Sequence, residues 1–408
     1  MIALSAPSTF DVEIPLPSSK SESNRALIMQ GLSGNQIQLE NLATARDTQT
    51  MMRLLESEGH VLDVIDAGTT MRFLTAYCAA VGRDQILTGT PRMCKRPIGI
   101  LVEALRGLGA SIEYWKQDGY PPLHVVSKGR LKGGELRMRG DVSSQFISAV
   151  LMIAPVLAKG LSLELEGDIT SRPYIEMTLG LMRKFGIQSS WTDQTIVVSE
   201  QSYQPGQYRI ESDWSAASYW YSVVALADQA SVMLTGLRQE SFQGDQKVSE
   251  LMQAFGVETQ YMTEGIRLTK VKSPSEAIPS TIDFTEVPDL AQTLAVVAAA
   301  KGHPLTLTGL HTLRVKETDR IDAVATELGK MGGDVSTGPD YLRIHDGIKG
   351  DAAQIHTYED HRMAMAFAPL AVRYPGMIID EPEVVVKSYP EYWDHLRLAG
   401  FTTETLDG

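Results

Sequence analysis

Residues 101–127 read LVEALRGLGASIEYWKQDGYPPLHVVS. Leu105 and Gly109 stand one helical turn apart and read as the last turn of an amphipathic helix closed by a glycine cap. The run Ser111–Trp115, the turn Asp118-Gly119 and the run His124–Ser127 then predict a strand, a turn and a second strand. The pattern recurs along the chain. Apolar helix patterns stop at Gly59, Gly109, Gly186, Gly256, Gly332 and Gly400. Four residues before each glycine stand Leu55, Leu105, Met182, Met252, Leu328 and Leu396. Val257–Tyr261, Gly265 and Ile266–Thr269 repeat the hairpin.

A second series of helices, rich in Ala, Ser, Met and Val, alternates with the first. Its members begin near Ser23-Asn24-Arg25, Gly68-Thr69-Thr70, Ser143-Ser144-Gln145, Ser215-Ala216-Ala217, Pro288-Asp289 and Asp360-His361-Arg362. Small residues nearly all round predict helices buried on most sides. Two interleaved series keeping step six times predict an α/β chain of six βαβαββ units with a period of about seventy residues. The weakest periodicity, Gln201–Gln207, divides them into two groups of three. Only eight residues follow Gly400, too few for the last hairpin, and the apolar segment Ile2–Ile14 can supply a missing strand. One domain is therefore expected over residues 19–211 and the other over 1–18 and 212–408, with hinges near 17–19 and 211–213.

Composition narrows the function classes. The 408 residues carry a net charge of −13, which argues against general nucleic-acid binding but leaves room for a local cationic site. Cys78 and Cys94 show no metal-ligand spacing and read as reduced thiols. The N-terminus lacks a signal-peptide pattern, and the apolar run Ala149–Ala158 is too short for a membrane span. A cytoplasmic chain is expected.

Helix N-termini carry free N–H groups and partial positive charge, so they suit phosphate and carboxylate. Here cations gather at such places: Lys20 and Arg25, Arg92 and Arg96, Lys316 and Arg320, Arg362, and Lys387. Ser21 joins the first, and Ser143, Ser144 and Gln145 offer two hydroxyls and an amide at another. Gly68 stands where backbone can touch a ligand. Lys316 and Arg320 are four apart, which on a helix places both on one face, as it does Arg314 and Thr318. Like charges held together call for an anion between them. The pattern fits a ligand pair carrying several anionic groups, although each segment alone also reads as an ordinary capped or solvated helix start.

With these segments assembled, PSSKSESNRA, DAGTTMR, TPRMCKRPIG, GDVSSQF, SRPYIEMT, RVKETDRI, EDHRMAM and VKSYPEYW, the chain resembles the 5-enolpyruvylshikimate-3-phosphate synthase family along nearly its whole length. The resemblance implies the two-domain enolpyruvyl transferase fold, with three βαβαββ units per domain around a pseudo-threefold axis and domain closure over the ligands. It implies transfer of the enolpyruvyl group of phosphoenolpyruvate to the 5-hydroxyl of shikimate 3-phosphate through a tetrahedral intermediate, within aromatic amino acid biosynthesis. By position it assigns Ser21, Arg25, Ser143, Ser144, Gln145, Ser171, Asp289, Thr312 and Lys316 to shikimate 3-phosphate. Lys20, Gly68, Arg92, Gln145, Arg320, Arg362 and Lys387 are assigned to phosphoenolpyruvate. Asp289 is implied as the base at the hydroxyl, and Glu317, with Lys20 as a rival, as the proton donor to the methylene carbon. No metal or cofactor is needed, because phosphate is already a good leaving group. Glyphosate is a possible inhibitor, and a monomer is expected.

Ser19, Asp66, Phe73, Thr312 and Trp214 depart from the family's common residues. An Asp66 carboxylate beside a phosphoenolpyruvate site weakens anion binding unless it is paired. Two alternatives were weighed. A UDP-N-acetylglucosamine enolpyruvyl transferase would use a reactive loop cysteine, but Cys94 has the wrong spacing. A non-catalytic repeat binding protein would show one broad basic face and no need of Asp289 or Glu317.

Overall fold

The computed structural model describes residues 1–127, 129–272 and 277–406. The chain divides into two compact units, Ser19–Ile210 and Met1–Ser18 with Glu211–Gly408. The αβ repeat is built as mixed four-stranded sheets. Strands Val61–Asp63 and Gln85–Thr88 run parallel, and Leu123–Val126 and Ser111–Tyr114 add antiparallel. Five such sheets are present among the described residues, with one sheet of two strands.

The exception is the first repeat. Among the described residues Ile37–Glu40 pairs only with Gly206–Arg209, and no hairpin follows Gly59. The backbone explains the difference. Gly109, Gly186, Gly256, Gly332 and Gly400 all have positive φ, between 77° and 103°, whereas Gly59 does not. The left-handed glycines turn the chain out of the helix into a hairpin, or, after Gly400, into the single strand Thr402–Thr405.

Sheets are closed by distant chain segments. Ile2–Ser5 lies antiparallel between Met377–Ile379 and Thr402–Thr405, completing the last sheet. Thr9–Pro15 runs parallel to Gln229–Thr235 and opens the fourth. The N-terminal segment thus supplies two strands to its unit. The chain leaves that unit after Ser18 and returns at Glu211, where the Asp213 amide donates to the Pro17 carbonyl at 2.9 Å. Trp214, fully buried, donates its indole N–H to Glu211 Oε1 at 3.0 Å and anchors the returning strand.

Each unit is centred on three nearly all-buried helices. In Ser19–Ile210 these are α1 (Lys20–Leu32), α2 (Gly68–Val81) and α3 (Ser144–Ile153), packed on one another. In the other unit they are α4 (Trp214–Leu226), α5 (Ala291–Ala300) and α6 (His361–Phe367). α1 starts at Lys20, three residues before the start read from the sequence, because Ser19 caps it by accepting the Glu22 amide. In α3 only Gln145 escapes full burial, and in α4 only Ser215. Apolar packing claims most of the rest of each helix, and polar groups there such as Arg25, Thr75, Ser148 and Ser222 are buried and hydrogen-bonded internally. Among the described residues no helix is long and apolar enough to cross a membrane.

The two kinds of glycine give a direct test. Gly109→Ala must force alanine to a φ near +103° and is expected to lower the unfolding free energy by about 1–2 kcal/mol. Gly59→Ala meets nothing closer than 3.4 Å and is expected to be neutral or to stabilise by up to about 1 kcal/mol. Calorimetric unfolding of the two variants would refute this account if both lost stability equally.

Candidate active site

In Ser19–Ile210 the candidate residues gather at the starts of α1, α2 and α3. Lys20, the first residue of α1, holds its Nζ 3.5 Å from Oδ2 of buried Asp47. The Asp47 carbonyl accepts from Thr70 Oγ1 at 3.2 Å, which ties this pair to α2. Gln145 bridges α3 to α2. Its Oε1 accepts from Arg72 Nη1 at 3.0 Å and its Nε2 donates to Thr69 Oγ1 at 3.1 Å. Gly68 is clasped by guanidinium groups, since a Cβ there would lie 2.6 Å from Arg96 Nη1 and 2.7 Å from Arg72 Nη1. Asp66 is paired: Arg46 Nη2 reaches both its oxygens at 2.8 and 3.0 Å. Its negative charge is therefore offset within the same unit.

Ser143 and Ser171 precede helices without capping them through their side chains, and Ser171 has a left-handed φ of 54°. Their segments adjoin, because Thr170 donates from its amide to the Gly140 carbonyl at 3.1 Å and from Oγ1 to the Val142 carbonyl at 3.4 Å. Ser144 is buried as the first residue of α3. Arg92 is half-buried beside the short turn Met93–Lys95.

Arg25 faces inward instead. It is 2% exposed. Its Nε donates to Thr178 at 2.8 Å, its Nη2 to Ser148 at 3.2 Å and its Nη1 to the Ser21 carbonyl at 2.9 Å. The guanidinium lies 5.4 Å from the ring centre of Phe73. Burial, opposed by Tyr174 and Glu22, pushes its pKa down to about 10.

In the other unit the ionisable residues form one connected cluster. Arg320, buried at the first turn of its helix, donates to three carboxylates: Asp360 Oδ2 at 2.7 Å, Glu317 Oε2 at 2.9 Å and Asp289 Oδ1 at 3.0 Å. Arg362 Nη2 reaches Asp289 Oδ2 at 3.0 Å and Lys316 Nζ lies 3.6 Å from Asp289 Oδ1. Lys387 Nζ lies 3.4 Å from Glu317 Oε1. Lys316, Arg320, Arg362 and Lys387 thus surround Asp289, Glu317 and Asp360. Burial by itself raises the Asp289 carboxyl, but Arg362, then Lys316 and Arg320, hold it far below the usual range. Burial pushes Lys316 down despite Asp289. Burial also opposes charge on Arg320, yet Asp360, Glu317 and Asp289 raise it. The Thr312 hydroxyl is buried without a hydrogen-bond partner among the described residues.

Two readings of the sequence need correction. Lys316 and Arg320 do not share a helical face. The turn His311–Val315 ends before Lys316, whose ψ is −147°, and the next helix begins at Arg320 under an Asp319 cap. They converge on Asp289 through a bent link, not a helical repeat. Arg314 likewise turns to Asp319 at 2.6 Å and Asp322 at 3.3 Å, not to Thr318. Lys387 closes the short turn Pro382–Lys387 and does not start a helix. His361 lies beside Asp360, with Nδ1 3.5 Å from Oδ1, whereas it is Asp360 that caps the Arg362 amide at 2.9 Å.

Sequence reasoning also missed partners. Asp360 looked like a helix cap and proves to hold Arg320 as well. Asp47 carried no signal beyond an acid in a first turn, and Arg72 stood unremarked within DAGTTMR.

The site geometry can be set beside known proteins. The family model EPSP synthase (3-phosphoshikimate 1-carboxyvinyltransferase) matches residues 53–396. A 3-phosphoshikimate 1-carboxyvinyltransferase of Bacteroides fragilis (strain YCH46) is 50% identical over 402 residues, covering 98% of this chain and 97% of that protein. One from Yersinia pseudotuberculosis serotype O:3 (strain YPIII) is 37% identical, covering 93% and 94%. A solved EPSP synthase from Acinetobacter baumannii shares the fold with a TM-score of 0.78 at 21% identity, over 99% of both chains. With cation-rich helix starts in both units and relatedness over nearly its full length, the chain belongs to the EPSP synthase (3-phosphoshikimate 1-carboxyvinyltransferase) family.

Proposed function

We propose that this chain transfers the enolpyruvyl group of phosphoenolpyruvate to the 5-hydroxyl of shikimate 3-phosphate, releasing phosphate. The observation that carries the reading is the 50% identity over 402 residues to a 3-phosphoshikimate 1-carboxyvinyltransferase. Both ligands are multiply charged anions, and the cation-rich helix starts suit them.

The chemistry needs a proton on the methylene carbon of phosphoenolpyruvate and loss of a proton from the attacking hydroxyl. The new C–O bond gives a tetrahedral ketal phosphate. Loss of a methyl proton and cleavage of the carbon–oxygen bond to phosphate then restore the double bond. We assign Asp289 as the base and Glu317 as the proton donor, with Lys20 the alternative donor. Lys20, Gly68, Arg92, Gln145, Arg320, Arg362 and Lys387 are assigned to phosphoenolpyruvate. Ser21, Arg25, Ser143, Ser144, Gln145, Ser171, Asp289, Thr312 and Lys316 are assigned to shikimate 3-phosphate.

The charge cluster suggests how Asp289 becomes a base. Without ligand it serves as the counter-ion of Arg362, Lys316 and Arg320 and binds protons weakly. A substrate anion competing for those cations weakens their hold on the carboxylate and raises its basicity towards a useful range. Arg25, whose donors are engaged by Thr178, Ser148 and Ser21, contributes through charge and by fixing α1. Glyphosate, an anion carrying a phosphonate and a carboxylate, would compete with phosphoenolpyruvate near Gly68. The chain is proposed to act as a cytoplasmic monomer.

Phosphate release from phosphoenolpyruvate is expected with shikimate 3-phosphate and absent without it. Release driven by UDP-N-acetylglucosamine instead would overturn the acceptor. Asp289→Asn is expected to lower kcat by about 10²- to 10⁴-fold, the range of a lost general base, while phosphoenolpyruvate binding is retained. Glu317→Gln should show a comparable fall in kcat, and normal turnover in either variant would remove that residue from the mechanism. Lys387→Met is expected to raise the KM for phosphoenolpyruvate by roughly tenfold, about 1.4 kcal/mol of lost ionic contact. An unchanged KM would place Lys387 outside that subsite.

A further inference from the structure

The end of the second repeat's sheet carries a cluster that the transfer reaction does not use. His60 precedes the strand Val61–Asp63, Asp84 precedes Gln85–Thr88, and His124 lies in Leu123–Val126. These strands are neighbours. Ile86 pairs with Val61 on one side and with His124 on the other, so the register itself brings the three residues together. His124 Nε2 stands 2.9 Å from Asp84 Oδ1, His60 Nδ1 stands 3.8 Å from the same oxygen, and all three donor atoms lie within 4.8 Å of one another.

We propose that His60, Asp84 and His124 form a zinc-binding site with an open fourth position for water. Two imidazole nitrogens and one carboxylate oxygen are a donor set that favours a borderline cation such as Zn²⁺ over Mg²⁺ or Ca²⁺, which take oxygen ligands. Tetrahedral zinc needs donors roughly 3.3 Å apart, so side-chain rotations of about 1 Å close the site. In the metal-free geometry His60 Nδ1 donates to the Asp84 carbonyl at 3.2 Å, so zinc binding must displace that proton. The Ser127 amide donates to Asp84 Oδ2 at 3.3 Å and leaves Oδ1 facing the histidines. Glu113 Oε2 lies 3.9 Å from His124 Nδ1, an electrostatic contact that favours the ring proton on that nitrogen.

The cluster lies at the C-terminal end of α2, about 20 Å along that helix from Gly68. Zinc there would tie three strands together without touching the transfer chemistry. By mass action it would stabilise Ser19–Ile210 against unfolding.

The full chain, stripped with a chelator and titrated with zinc chloride in a calorimeter, is expected to bind one equivalent. His60→Gln and His124→Gln should each weaken that binding at least tenfold and leave metal-free phosphate release unchanged. In the unsubstituted chain, ring ¹⁵N–¹H spectra should show zinc shifting the signals of two of the eight histidines, His60 and His124. This readout does not depend on how the variants fold. No saturable equivalent below about 100 µM zinc, equal affinity in both variants, or shifts at other histidines would each overturn the site.

Discussion

Arg320 is the charge around which the ionisable groups of its unit are ordered. Placing a guanidinium out of water costs several kcal/mol unless its donors are met. Here they are met by Asp360, Glu317 and Asp289, which arrive from three different parts of the chain. Each carboxylate has a second duty: Asp360 caps α6, Asp289 faces Arg362 and Lys316, and Glu317 faces Lys387. Moving any one of them leaves a buried charge short of a partner. The positions of the candidate catalytic acid and base are thus set by the same interactions that make the buried cation tolerable.

That arrangement also makes anion binding an exchange. Four cations against three carboxylates leave only a small positive excess, so an incoming phosphate or carboxylate is welcomed chiefly by displacing an internal partner. Asp289 is the carboxylate best placed to yield, because three separate cations share it and its neighbours can satisfy them only partly. Asp360 has little freedom to yield, being fully buried and committed to a helix cap. Both are aspartates, so burial and not residue type separates the carboxylate proposed as the base from the one that caps a helix.

The repeat was legible because it rests on local rules. A glycine at a positive φ ends a helix whatever surrounds it, and five of the six glycines behave so. Gly59 broke the pattern because the sequence shows that glycine is present, not which backbone angle it takes. The site residues were legible as helix starts, where free N–H groups make polar residues informative. Their partners were not. Arg25 finds Thr178 at a separation of 153 residues, and no local pattern encodes that contact. Lys316 and Arg320 misled for the opposite reason. Their spacing fits a helix, but Asp319 caps the helix later and leaves the preceding residues in a bent, non-helical link.

Four of the five departures from the family's common residues place the new group beside a partner; Thr312, whose buried hydroxyl has none among the described residues, does not. Asp66 would repel an anion, and Arg46 neutralises it at 2.8 Å. Ser19 supplies an oxygen to the first turn of α1. Phe73 offers its ring to Arg25, an interaction worth about 0.5–2 kcal/mol. Trp214 would leave an indole N–H stranded in the core but for Glu211, whose other oxygen is held by Ser241 at 2.6 Å. Burial raises the Glu211 carboxyl, and donors from Ser241, the Arg238 amide and Trp214 pull it back. Asp66, Ser19, Phe73 and Trp214 are therefore compensated locally, each within its own unit.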